Sequence, residues 1–191
     1  MGQGLVTSYL QIFSEKLELP PSRLRIVQGD TDLVEGHGSV GSRSLFVGGN
    51  ALIGGTEEFL EKCLRLAASE LEASQEDLEY RQGSFQVRGT RVSIGLFDLC
   101  ARQSSNSIVH KTSKELTGRS WPNGCHVAEV EIDPETGQVT LDRYTSVDDV
   151  GNAVNPMIVK GQIHGGIAAG LGQSLLERTF YDDAGQLLTS S

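Results

Sequence analysis

The chain has 191 residues and a formal net charge of -9, from 25 acidic against 16 basic side chains. That balance argues against nucleic acid or an anionic membrane surface as the main partner, and no run of 18 apolar residues is present to span a bilayer. Met1 runs straight into Gly2-Gln3-Gly4 without the basic and apolar regions of a signal peptide, and three dispersed cysteines (Cys63, Cys100, Cys125) make neither a disulfide framework nor a metal knuckle. A reducing, cytoplasmic location is the resulting expectation.

In chain order, Val6, Tyr9, Leu10, Phe13 and Leu17 recur at helical spacing, so residues 3–17 are predicted to form an amphipathic helix that Pro20-Pro21 stops. Leu24–Gln28 is short and partly β-branched, which predicts a strand ended by Gly29-Asp30. A loop of Gly, Asp and His then leads to Gly41-Ser42-Arg43-Ser44. Here Ser42 is the expected N-cap of a long helix reaching Glu72, with Leu60, Leu64, Ala67, Ala68 and Leu71 on one stripe. Gly48, Gly49, Gly54 and Gly55 interrupt that helix. Each costs about 1 kcal/mol against Ala, so close approach of another backbone or of a flat ligand is expected there.

Residues 79–94 predict two or three short strands around turns at Gln82-Gly83-Ser84 and Arg88-Gly89-Thr90, followed by a short helix near Phe97–Arg102. His126–Asp133 and Gln138–Val147 predict a hairpin closed by Asp133-Pro134-Glu135-Thr136-Gly137, with Ala128, Val130, Ile132, Val139 and Leu141 as its apolar positions. Asn155 as N-cap and Pro156 at the first helical position open a last helix to about Glu177. Ile163, Ile167, Leu171 and Leu175 give it an expected buried stripe, and Gly161, Gly165, Gly166, Gly170 and Gly172 a face without side chains. Residues 180–191 begin a further hairpin, as if the chain were cut there.

Three helix starts share one chemistry. Gly2-Gln3-Gly4, Gly41-Ser42-Arg43-Ser44 and Asn155-Pro156, with Gln162 two turns on, each offer backbone donors beside an amide or hydroxyl. Arg43 adds a fork of donors suited to phosphate or a carbonyl edge. A capped surface helix whose arginine faces water is the alternative for the Ser42 start. Together they suggest a ligand rich in donors and acceptors, held by hydrogen bonds without protein–metal ligation. His37, His110, His126 and His164 have no metal-ligand spacing, no Walker-type phosphate loop occurs, and Ser42 has no motif partner for nucleophilic catalysis.

These motifs, in this order, resemble a known family. Gly-Gln-Gly before a helix, Gly-Asp-Thr-Asp at 29–32, Gly-Ser-Arg-Ser at 41–44, Asp-Asp-Val-Gly-x-x-x-Asn-Pro at 148–156 and Gly-Gln-x-His-Gly-Gly-x-x-x-Gly-x-Gly-Gln at 161–173 are similar to the large molybdenum-binding subunit of the xanthine dehydrogenase, aldehyde oxidase and carbon-monoxide dehydrogenase family. The likeness runs nearly end to end. It implies an α+β fold, with mixed short sheets and long Gly-rich helices, that buries molybdopterin, in bacterial members usually as the cytosine dinucleotide. The metal would be held by the pterin dithiolene. By motif, Gln3 and Gly4 would meet the pterin or its phosphates, and Gly41, Ser42, Arg43 and Ser44 would wrap the pterin. Asn155 and Gln162 would bind the pterin and the dinucleotide side. The implied reaction is oxidation of an aldehyde, an N-heterocycle or carbon monoxide with oxygen taken from water, two electrons leaving through iron–sulfur and FAD partners.

The family's general base, a Glu in a Gly-rich loop, has no counterpart before Ser191, so the segment by itself is expected to be inactive. Glu177 is assigned to a helix end, Asp148 and Asp149 to turn and cap roles, His164 to a helix flank near Gln162, and Cys125 no reactivity. His37 is either solvated or part of a substrate funnel. Two sub-regions are expected, residues 1–100 around the pterin and 101–191 beyond. The competing assignment is a non-catalytic ligand- or partner-binding module. A cut segment would leave apolar surface exposed, so self-association is expected.

Overall fold

A computed structural model describes residues 2–34, 36, 38–114 and 118–189. The chain divides into two compact units, residues 1–120 and 121–191. The fold is α+β, its strands gathered into two separate antiparallel sheets.

In the first unit, α1 spans Leu5–Leu17 and starts at Gly4, whose φ of 76° is left-handed. Glu18 closes the helix in the same left-handed region, with Leu19 N donating to Ser14 O at 3.1 Å. A single 3-10 turn at Pro21–Arg23 follows. The strand expected at Leu24–Gln28 does not form. Leu24 is extended, but among the described residues nothing pairs with this segment, and an extended run becomes a strand only when a second one completes its hydrogen-bond ladder.

Helix α2, Ser44–Glu70, is the spine of this unit. At 27 residues it is about 40 Å long. Its C-terminal half packs on a three-stranded sheet, β1 (Leu78–Arg81), β2 (Ser84–Val87) and β3 (Ser93–Gly95), in the order β1-β2-β3, and on α3 (Leu96–Ala101). Cys63, Ala67, Ala68, Leu78, Phe85, Ile94, Leu96 and Leu99 form the core. Leu60, Leu64 and Leu71 border it, so the stripe expected along the helix is the one that packs. Gln82 and Gly83, at φ 48° and 74°, make the two-residue hairpin turn whose twist suits the flanking strands.

The α2 glycines accommodate neighbours within the unit. A Cβ on Gly48 would come 2.7 Å from Tyr9 Cζ of α1, and one on Gly55 would come 2.6 Å from Thr112 Cγ2. Residues 108–114 thus lie as a strap along α2. Lys62 Nζ donates to Val109 O at 2.8 Å, and the Glu58 carboxylate takes His110 Nε2 at 3.0 Å and the Lys114 ammonium. Ile108 rests on the core, which ties residues 101–114 to the first unit.

The second unit is built from a long hairpin, β4 (Asn123–Ile132) and β5 (Val139–Asp149), and helix α4 (Pro156–Leu171), which passes through a π turn at Gly172–Leu176. Tyr181 and Leu187 pair in the closing hairpin. None of its described residues is fully buried. The stripe on α4 is therefore not a buried one. Ile163, Ile167 and Leu171 are half-buried and Leu175 is 46% exposed, because the hairpin supplies only one wall against them. Between that wall and α4 runs a groove of about 540 Å³ lined by Tyr144, Pro156, Ile163 and Ile167 among others. Among the described residues, no helix is long and apolar enough to cross a membrane.

Candidate functional site

Two of the three singled-out helix starts meet in the first unit. Gln3 Nε2 donates to Ser39 Oγ at 3.4 Å, and Ser39 Oγ shares a hydrogen bond with Ser44 Oγ. Gln3 precedes α1 and Ser44 opens α2, so one hydroxyl on the intervening loop bridges the two. Tyr9, one turn into α1, donates its hydroxyl to Ser44 O at 2.8 Å. Burial pushes the Tyr9 phenol above its ordinary pKa, which keeps it protonated and able to donate.

The turn itself differs from expectation at one residue. Ser42 is not the N-cap. Gly41 and Ser42 are both left-handed, φ 60° and 53°, so the tight turn extends through Ser42 and Arg43, at φ -112°, takes the cap position instead. Ser44, the first helical residue, turns its hydroxyl to Ser39. Among the described residues, neither α1 nor α2 receives a side-chain cap. Both helices thus present first-turn N–H groups to whatever lies beyond Gly4 and Arg43, together with the positive ends of their dipoles. Gly41, Ser42 and Arg43 are exposed, and a Cβ placed on Gly2, Gly38 or Gly41 would meet nothing within 4 Å.

Asn155 and Gln162 lie in the second unit. Asn155 caps α4, its Oδ1 accepting from Ile158 N at 3.0 Å, with Pro156 at the first helical position. Gln162 is exposed seven residues on, on the same side of the helix and about 10 Å along its axis. Glu177 ends the π turn, its N–H returning to Gly172 O at 2.8 Å, and His164 stands on the groove wall. Asp149 holds a turn by accepting from Gly151 N at 2.9 Å. His37 lies outside the described residues.

One cluster was not legible in the sequence. His126 Nδ1 is 3.1 Å from the Tyr144 hydroxyl, and its Nε2 is 3.0 Å from Asp148 Oδ1. Strict alternation puts Tyr144 on the opposite face. A bulge at Asp142 shifts the parity of β5, so Tyr144, Ser146 and Asp148 face the same way as His126.

Left-handed glycine turns open both helices, and an amide and hydroxyls meet beside them, leaving backbone donors facing outward. Residues 1–191 match the family described as the molybdopterin cofactor-binding domain. The chain belongs to that family, whose members include the molybdenum-binding large subunits of the xanthine dehydrogenase and carbon-monoxide dehydrogenase type. It is 33% identical over 203 residues to the 6-hydroxypseudooxynicotine dehydrogenase complex subunit gamma of Paenarthrobacter nicotinovorans, covering 100% of this chain and 25% of that protein. It is 31% identical over 196 residues to the carbon monoxide dehydrogenase large chain of Hydrogenophaga pseudoflava, covering 98% and 24%. Among solved structures it superposes on quinoline 2-oxidoreductase from Pseudomonas putida 86 with a TM-score of 0.78 and 32% identity, covering 98% of this chain and 25% of that one. The chain thus spans about a quarter of the length of the relatives it matches.

Proposed function

We propose that this chain is the part of a molybdenum hydroxylase large subunit that holds the molybdopterin, in its cytosine dinucleotide form, and that the parent protein works in the cytoplasm with iron–sulfur and FAD partners. The observation that carries this is the meeting of Gln3, Ser39 and Ser44 at two uncapped helix starts. Pterin edges need paired donors and acceptors, and phosphates favour helix N-termini. The open, left-handed Gly41 lets a flat group lie against the backbone.

In this reading Gln3 and Gly4 bind the pterin or its phosphates, and Gly41 to Ser44 wrap the pterin, with Arg43 offering its guanidinium to phosphate or carbonyl oxygens. Asn155 and Gln162, on α4, serve the pterin and dinucleotide side. When bound, the group supplies two-electron oxidation of a substrate with oxygen taken from water. The chain's own contribution is to bind and orient. The general base lies outside these 191 residues, so the segment alone has no activity.

The substrate is an aldehyde, an N-heterocycle or carbon monoxide, and two of the relatives, named for a nicotine derivative and for quinoline, favour a nitrogen-containing ring compound. The test is the molybdenum content and acid-released cytidine monophosphate of the full-length protein purified from its native host with its partners. Near-stoichiometric amounts of both are expected. A folded, partnered protein with neither would overturn the proposal.

A further inference from the structure

We propose that Tyr9 is a positioning residue for the cofactor: its hydroxyl, seated over Gly48, pins the start of α2 and so fixes the conformation of the Gly41–Ser44 turn. This rests on the cofactor reading above. The Tyr9 oxygen lies 2.8 Å from Ser44 O, and its ring occupies the space that any side chain on Gly48 would need. Gly48 is one turn beyond Ser44 on the same helix face, so it opens the slot through which the tyrosine reaches the carbonyl. Helix α1 is a fixed lever. At its other end Tyr80 donates to Leu17 O at 2.6 Å, and Glu18 Oε2 accepts from Gln82 N at 2.7 Å. Whatever Tyr9 holds is therefore referenced to the sheet of the core.

The turn needs such a reference. Ser42 is left-handed without being glycine, a conformation that persists only when its surroundings enforce it. A second described link to this turn starts at Gln3, just before α1, and passes at 3.4 Å to the part-buried Ser39 hydroxyl and on to the Ser44 side chain. The Tyr9 bond, at 2.8 Å, is shorter than the Gln3–Ser39 contact and acts directly on the backbone of α2. Losing it frees the turn to relax before the cofactor arrives, and binding must then restore it.

The test compares wild type, Tyr9→Phe, Gly48→Ala and Leu17→Ala in the full-length protein produced with its partners. Molybdenum per subunit after dialysis, the electron paramagnetic resonance spectrum of the metal and the melting temperature are read together. Tyr9→Phe is expected to retain molybdenum about fivefold less firmly, the factor one neutral hydrogen bond is worth, with a broadened spectrum. Gly48→Ala should do the same by displacing the ring. Leu17→Ala removes buried packing but keeps the Leu17 carbonyl that Tyr80 anchors, so it should lower the melting temperature while leaving the spectrum unchanged.

A loaded wild type beside a Tyr9→Phe protein with the same loading and spectrum would overturn the role alone, and so would a Leu17→Ala protein with the Tyr9→Phe spectrum. Wild type without molybdenum would overturn the cofactor reading and this role with it. Should Gly48→Ala fail to fold, Tyr9→Phe decides, since it removes a single oxygen.

Discussion

His126 and Asp148 stand on one face of the β4–β5 hairpin, Nε2 to Oδ1 3.0 Å apart, because β5 carries one residue more than its partner strand between Leu141 and Arg143. Tyr144 completes the row from the other ring nitrogen, with the two rings edge to face at 5.8 Å. Deleting Asp142 restores a regular ladder and sends Tyr144, Ser146 and Asp148 to the opposite face. The expected outcome is loss of both His126 contacts, seen as movement of its ring resonances towards their free values. Asp148→Ala removes one contact only and should cost about 1 kcal/mol at this half-exposed site.

Acid sensitivity should concentrate at the strap over α2. The Glu58 carboxylate is held down at about 2 by its bonds to Lys114, Thr112 and His110. A carboxylate with a folded pKa below its unfolded one binds protons more readily when unfolded. Its stabilisation is complete above the unfolded pKa, near 4.5, and disappears as pH falls through about 2. Urea midpoints measured from pH 6 down to 2 should fall across that window. Glu58→Gln should be less stable at pH 6 and flatter below, with the difference reduced by salt because the pair meets solvent.

Thiol reactivity should sort the cysteines by depth. Cys63 is fully enclosed in the core, and burial pushes its thiol up to about 12, so it is neutral and sheltered at pH 8. Cys125 is exposed on β4. Exposure on β4 replaces the expectation of an unreactive Cys125, so iodoacetamide at pH 8 should modify Cys125 first and Cys63 only after unfolding. Rapid native-state labelling of Cys63 would contradict the packing of α2 on the sheet.

The core should prove concentrated in a few side chains. Phe85 is 0% exposed, lies in β2 between β1 and β3, and meets Tyr80 with ring centroids 4.9 Å apart. Phe85→Ala should cost about 3–5 kcal/mol in denaturant titration. Phe97→Ala, at a side chain 43% exposed under Arg23, should cost far less.

Much of this was legible because it is local. Asn155-Pro156 determines a helix start from its own two residues, and Asp133 to Gly137 determines a turn, so both appear where expected. The short strands, expected as two or three and found as three, and the stripe on α2 followed from period and turn residues. What failed depends on distant partners. Among the described residues, Leu24–Gln28 has strand composition but no ladder within reach, and the apolar stripe of α4 has one wall instead of two. Ser42 carries cap chemistry in a turn whose left-handed geometry gives the cap position to Arg43. The bulge at Asp142 has no compositional sign, so the His126 row could not be read. Of the site residues, the pairing of Gln3 with the Ser44 helix start was visible only as shared chemistry. The hydroxyl that joins them, Ser39, was missed because a lone serine in a polar loop carries no pattern.

Anomalous diffraction at the molybdenum edge, from crystals of the full-length protein with its partners, tests the cradle most directly. The predicted result is a molybdenum peak whose pterin lies within hydrogen-bonding distance of Gln3 and of the Gly41–Ser44 turn. A pterin seated away from both helix starts would contradict it.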